Sequence, residues 1–199
     1  MDLDAVVANL NKRRFLAQSF PTNEALKDAA LAIVGAKSVG IGGSASVAEL
    51  GLYETLIERG NAVYAHTYTE HKDRARRNAM NADVYLCSAN AITEAGLIVN
   101  IDGTGNRIAA TVFGPKTVIV IAGRNKLTPD VESGIARTRR ESCPRNAERL
   151  GFKTPCALTG VCGDCQTPAR MCNALTLLWY PTRRTEAFHV LISEETLGW

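Results

Sequence analysis

Long apolar stretches are missing from this 199-residue chain; the run Val118-Ile119-Val120-Ile121-Ala122 is five residues, where a membrane-spanning helix needs about 20. The start, Met1-Asp2-Leu3-Asp4, is acidic and polar, so no signal peptide is expected. The expected compartment is therefore the cytoplasm, where reduced cysteines serve metal or redox chemistry rather than disulfides. Excess charge is scarce too. Lys and Arg number 23 against 20 Asp and Glu, a net +3, too little to point to nucleic acid. The three histidines, His66, His71 and His189, share no ligand spacing and read as surface or packing residues, with His66 at a strand end within reach of a pocket. No GxGxxG and no Walker A motif occurs, which removes the usual nucleotide signatures.

What is present is a concentration of cysteine. Four of the six cysteines, Cys156, Cys162, Cys165 and Cys172, fall at intervals x5, x2 and x6. Pro155, Gly160, Gly163 and Pro168 interrupt regular structure around them, and the Gly163-Asp164 turn of the CxxC lets both its sulfurs face one centre. Four thiolates suit tetrahedral zinc or an iron–sulfur cluster. The second CxxC of a zinc ribbon is missing, and the wide, uneven intervals fit a [4Fe-4S] cubane somewhat better. Cys87 reads as a small buried hydrophobe, and Cys143 as a spare thiol outside the set.

Hydrophobic periodicity places two helices in residues 2–35, the second capped by Thr22. Strands are expected near 38–41, 61–65, 84–87, 98–101, 117–122, 175–180 and 187–192, with helices over 47–59, 70–81 and 129–150 between them. The segment Ile108 to Phe113 is ambiguous. Near-continuous apolar strands alternating with helices indicate an α/β class: an open, mainly parallel sheet flanked by helices. The organisation expected is a single domain, 1–199, with an N-terminal helical extension (1–35) and a cysteine-rich metal loop (151–174).

Two polar loops are candidate ligand sites. The turn Gly42-Gly43-Ser44-Ala45-Ser46 joins a strand to a helix and offers backbone N–H groups and hydroxyls to a phosphate or carboxylate; a plain capped turn is the alternative. The second region spans Glu94 to Arg107 and offers Glu94, Asn100, Asp102, Asn106 and Arg107 around two glycines, at what would be the carboxyl end of a strand. Its alternative is an Asp-Gly turn. The arginine-rich helix over 129–150 reads by default as a solvated face.

Taken together, GIGGSASVAELG, SANAITEAGLIVNIDGTGNRIAATVFGPKTVIVIAG, PRNAERL and TPCALTGVCGDCQTPARMC resemble the LUD domain, or lactate-utilisation, family in its short cysteine-bearing branch. The resemblance spans essentially the whole chain. It implies a fold like that of the sugar-phosphate isomerases and CoA-transferases, and a part in oxidising lactate beside iron–sulfur and flavin-type partner proteins. The family's cysteine motif falls on Cys156, Cys162, Cys165 and Cys172, and its internal arginine on Arg170. Arg124 stands where an apolar residue is expected, and Cys143 where a small one is. Two functions follow as expectations. One is an iron–sulfur accessory in 2-hydroxy-acid oxidation that works with redox partner proteins. The other is a non-redox enzyme or binding module for a small anionic metabolite, with a structural metal.

Overall fold

The computed structural model describes residues 1–199. Its elements in chain order are α1 (Leu3–Lys12), β1 (Leu16–Phe20), α2 (Asn23–Val34), β2 (Val39–Ile41), α3 (Ala45–Glu49), α4 (Leu52–Glu58), β3 (Val63–Ala65), α5 (Lys72–Met80), β4 (Val84–Ser88), β5 (Ala91–Thr93), β6 (Ile98–Asp102) and α6 (Asn106–Phe113). Then come β7 (Thr117–Gly123), β8 (Leu127–Thr128), α7 (Val131–Arg137), α8 (Cys143–Arg149), α9 (Pro155–Thr159), β9 (Ala174–Leu178) and β10 (Ala187–Ser193). Six strands form a sheet in the order β1-β10-β7-β4-β2-β3, and every pairing in it is parallel.

The central strands are apolar at nearly every position because both their faces are covered. In β7, Val118, Val120 and Ala122 enter one core while Ile119 and Ile121 enter the other; β4 divides Tyr85 and Cys87 from Val84 and Leu86 in the same way. This two-residue alternation between two dry faces is what a parallel sheet between layers requires. One face is closed by α2, α3 and α4 through Leu26, Ala30, Val34, Val47, Leu52 and Leu56. Against the other pack Leu3, Val6 and Leu10 of α1, Ala79 of α5 and Ala110 of α6, together with part of a second sheet.

That second sheet, in the order β8-β5-β6-β9, departs from the expected single sheet. The strands over 98–101 and 175–180 were expected in the parallel sheet, but β6 pairs antiparallel with both β5 and β9. Periodicity finds a buried strand without saying which sheet owns it. The N-terminal region also differs. Between its two helices lies β1, an edge strand paired in parallel with β10, so residues 1–35 belong to the sheet and are not an appended helical extension. Five residues with Gln18 and Ser19 in the middle carry little apolar pattern, and Arg14 turns the chain into them at φ 66°. Thr22 caps α2 as expected, accepting from the Ala25 N–H. The helix expected over 47–59 breaks at Gly51, whose φ of 61° favours glycine. The ambiguous 108–113 segment is helical, in α6, and the arginine-rich helix runs from α7 through a π-helical segment, Thr138–Ser142, into α8.

Candidate functional site

Parallel strands end on a common edge, and four of them deliver polar groups to one place. The turn after β2 supplies Gly42 to Ser46, the end of β3 supplies His66, the end of β4 supplies Ser88 to Asn90, and the turn after β7 supplies Lys126. Asp102 to Arg107 from β6 and α6, with Asn146 and Arg149 of α8, close the other side. The cleft between them measures about 420 Å³. It lies at the carboxyl ends of the strands, where open α/β sheets collect ligands. Ser44 caps α3 through the Val47 N–H.

The serine turn and the 102–107 loop therefore face one cleft: Gly42, Gly43, Ser44, Asp102, Asn106 and Arg107 all line it. Two of the candidate residues do not. Asn100 is buried beneath the wall, its Oδ1 accepting from the Asn90 N–H at 3.0 Å, so it shapes the Asn90 loop. Glu94 points away. Its side chain is exposed, and its backbone is tied to the Asn9 side chain and to the Thr128 carbonyl. The turn before β6 is at the opposite end of that strand from Asp102, which removes Glu94 from the site. Arg107 lines the cleft, but its fork is turned inward. Nη1 donates to the Ser88 carbonyl, and Nη2 lies within hydrogen-bond reach of Asn90 Oδ1, the Ile101 carbonyl and Asp102 Oδ1. It braces the site more than it offers donors to a ligand.

Lys126 is the group that sequence reasoning missed. It is 2% exposed yet reaches the cleft floor, where Nζ donates to Ser46 Oγ at 2.6 Å and to Ser88 Oγ at 2.8 Å. It forms no salt bridge. Burial, followed by the fields of Arg137 and Arg107, lowers its pKa from 10.5 to about 7, while Glu49 and Cys87 oppose the shift. A lysine poised between its charged and neutral forms at neutral pH can move a proton or attack as a free amine. The signal for it is faint: a cation placed three residues beyond a buried strand, with two serines elsewhere in the sequence as its only partners.

Around this amine the cleft is cationic. Lys72 and Arg76, one turn apart on α5, face it with Arg107, Lys126 and Arg149, against the single side-chain carboxylate of Asp102. The Arg76 Nε is buried without a partner. His66 is held below its usual pKa first by burial and then by Arg76 and Lys72, so it is neutral in this field at pH 7.

The LUD domain family model matches residues 3–193. This chain belongs to the LUD domain family. Among solved structures it is similar to a DUF162 family protein from Deinococcus radiodurans, with a TM-score of 0.57, 14% identity, and coverage of 96% of this chain and 95% of that one. At that identity the likeness shows the shared fold. No curated protein matches the chain.

The cysteine segment of this LUD domain adjoins the cleft. Met171, between Arg170 and Cys172, lines the cleft wall, and Gly103 approaches so closely that a Cβ there would lie 2.6 Å from the Met171 carbonyl oxygen. Cys156 is buried on α9, hydrogen-bonded to Thr154 at 3.3 Å, while Cys162, Cys165 and Cys172 are half-buried. Arg170 orders the loop by donating to the carbonyls of Cys165 and Cys172, and Asp164, at φ 50°, pairs with both Arg170 and Arg139. The arginine-rich helix is thus not a merely solvated face: Arg139 serves this loop, and Arg137 is buried with its donors on the Asn125 and Asn90 carbonyls. Cys143 lines the cleft, and burial and then the neighbouring Cys172, Cys162 and Cys156 push its thiol pKa up to about 12. It therefore sits beside the set from which it was excluded. Cys87 is fully buried, as expected. The four sulfurs were expected to converge on one centre; no three His, Cys, Asp or Glu side chains in the chain are grouped to hold a metal ion.

Proposed function

We propose that this LUD domain binds a small carboxylated or phosphorylated metabolite in the cleft and acts on it with Lys126. The observation that carries this is the balance of five cationic side chains against one side-chain carboxylate around a concave site of about 420 Å³. Desolvated cations strengthen one another's pull on an anion. The Lys72 ammonium has no hydrogen-bond partner and is free to turn to a ligand, whereas the Arg107 guanidinium is already engaged. Calorimetry with sulfate and with lactate tests the proposal, since neither probe changes charge between pH 6 and 8. Lys72→Ala combined with Arg76→Ala should weaken binding by roughly tenfold or more, because a hydrogen bond to a charged group is worth about 1.5–3 kcal/mol. No measurable binding of either anion, or no effect of the pair, would remove the anion site.

The same experiment has a pH signature. An anion favours the protonated forms of Lys126, poised at about 7, and of His66, whose pKa burial and then Arg76 and Lys72 lower. Binding should therefore take up protons and tighten as pH falls from 8 to 6. Affinity that is flat or weaker at low pH would show that these groups do not face the ligand.

A second reading concerns the cysteines: Cys172, Cys162 and Cys156 are near enough to Cys143 to raise its pKa, which favours it, although no three of these side chains are grouped to hold a metal ion as they stand. Cys156, Cys162, Cys165 and Cys172 have the donor chemistry for a [4Fe-4S] cluster or zinc. A cluster would supply one-electron transfer, which fits an accessory of lactate or other 2-hydroxy-acid oxidation in the reducing cytoplasm, working with redox partner proteins; zinc would leave the segment structural. No helix is long and apolar enough to cross a membrane. Metal analysis and visible absorbance of anaerobically purified protein separate the cases, and metal-free protein would end this reading. Residues 161–173 carry no helix or strand, and Leu158 and Val161 are exposed, so burial does little to order them. Removing a metal should make 156–172 protease-sensitive while the two-sheet core keeps its circular dichroism. Loss of the whole fold would show that the core depends on the metal.

A further inference from the structure

We propose that Lys126 is an imine-forming nucleophile, and that the metabolite of this cleft is an aldehyde or ketone that also carries a carboxylate or phosphate. The proposal rests on the anion-binding reading of the cleft and names the chemistry within it. Three observations converge. The Nζ of Lys126 is on the cleft floor, buried, and without a carboxylate in salt-bridge contact. The groups facing it from the packed elements are Arg107 of α6, Arg137 of α7, Glu49 of α3 and Cys87 of β4, with the two cations outweighing the one acid. Desolvation beside other cations is how a lysine is made nucleophilic. Third, its two hydrogen-bond partners are both hydroxyls, Ser46 and Ser88, which lie 3.3 Å from each other. A hydroxyl pair both gives and takes protons, as a carbinolamine requires, whereas a carboxylate partner would hold the amine as an ammonium.

The step balances within the site. The neutral amine lone pair attacks the carbonyl carbon, a C–N bond forms, and the carbonyl π pair moves to oxygen. That oxygen takes a proton from a serine hydroxyl, which recovers one from the amine nitrogen. The remaining N–H proton of the carbinolamine passes through the serine pair to its hydroxyl, which leaves as water, and the neutral imine left on Lys126 takes one proton from solvent to become the iminium. Beyond the carbonyl compound no co-reactant is needed. Lys72, Arg76 and Arg149 would hold the substrate's anionic end, away from the reacting carbon.

The test is trapping on the intact chain. The protein is incubated with glyoxylate, the smallest anionic aldehyde, or with acetaldehyde, its neutral counterpart, and reduced with borohydride, which delivers hydride to the iminium carbon. Peptide mass spectrometry then reads which lysine is alkylated. At pH 7 Lys126 is expected to react at least about tenfold faster than the exposed lysines, because an ordinary lysine of pKa about 10.4 is almost wholly charged there. Its rate should rise with pH and level off above about 8. Lys126→Arg should lose this label and keep the slow background. Glyoxylate should outcompete acetaldehyde, and sulfate should protect against glyoxylate alone. Alkylation of the exposed lysines only, by both aldehydes, would overturn the nucleophile while leaving sulfate binding to report separately on the cleft. Fast labelling of Lys126 by acetaldehyde with no preference for glyoxylate and no sulfate protection would overturn the anionic substrate class, and with it the cleft reading. The wild-type pH profile keeps the test decisive even if the arginine variant does not fold.

Discussion

Folding stability should rise by about 2–3 kcal/mol between pH 7 and pH 9, and Lys126→Met should remove most of that rise. Lys126 has a folded pKa of about 7 against 10.5 for the free side chain. Below pH 7 both states carry the proton and the folded state bears the whole cost of burying an ammonium. Between 7 and 10.5 the unfolded chain still binds a proton that the folded chain has released, so raising the pH favours folding. Above 10.5 the states are alike and the slope ends. Each pH unit in the window is worth about 1.36 kcal/mol. The Cys87 thiol, raised by burial from 9.0 to about 12, acts in the opposite sense above pH 9, which is why the window is read before it. Urea unfolding of both proteins at pH 6, 7, 8 and 9 isolates the lysine by difference. The methionine variant should be the more stable at pH 6, less about 1 kcal/mol for two serine oxygens that lose the amine as donor while keeping each other and the Leu197 and Ala89 carbonyls, and the gap should close as pH rises. Parallel curves would mean that Lys126 keeps its proton inside the fold.

The sequence carries this lysine in plain view but not its state. An apolar run such as Thr117 to Ala122 announces a strand buried on both faces, so the parallel sheet and most helices could be read directly. The surroundings of a residue just past a strand end are set by tertiary placement. Lys126 is depressed because Arg107 and Arg137, 19 and 11 residues away in sequence, come together around it, and no local pattern encodes that meeting. The short strands escaped for a related reason. Ala91–Thr93 and Leu127–Thr128 are too brief for any period to show, and they exist because a second sheet offers them partners. The serine turn and the Asp102–Arg107 loop were legible because glycine beside hydroxyl or carboxylate is an unusual local composition. Glu94 was included by proximity in sequence to that loop, although a strand's length separates its two ends. The cysteines were legible as a set, but the nearness of Cys143 depends on the turn between α8 and α9.

Arg107→Ala should cost roughly 3–5 kcal/mol of stability, a larger loss than any other single change among the cleft residues. The guanidinium reaches four acceptors, the Ser88 carbonyl, Asn90 Oδ1, the Ile101 carbonyl and Asp102 Oδ1, and so ties the end of β4 in one sheet to the end of β6 in the other. Its partner Asp102 has a side chain 13% exposed and also caps α6 through the backbone N–H groups of Arg107 and Ile108. Truncation would leave that largely buried carboxylate with its two backbone donors but without its cation, and would take a donor from each of the other three acceptors. Breaking a buried pair from one side has this order of cost, whereas an exposed pair such as Lys116–Glu186 is worth about 1 kcal/mol or less. Arg107→Lys should recover only part of the loss, since an ammonium cannot reproduce the fork that meets four acceptors at once. For a chain of this size, 3–5 kcal/mol lowers the melting temperature by roughly 10 °C. The contrast that decides the matter is with α5. Lys72→Ala should weaken anion binding and leave the melting temperature within about a degree or two, because its head group holds nothing in the free protein. If Arg107→Ala instead melts like the wild type and loses only ligand affinity, then its donors turn to the ligand, and the two sheets are joined by packing alone.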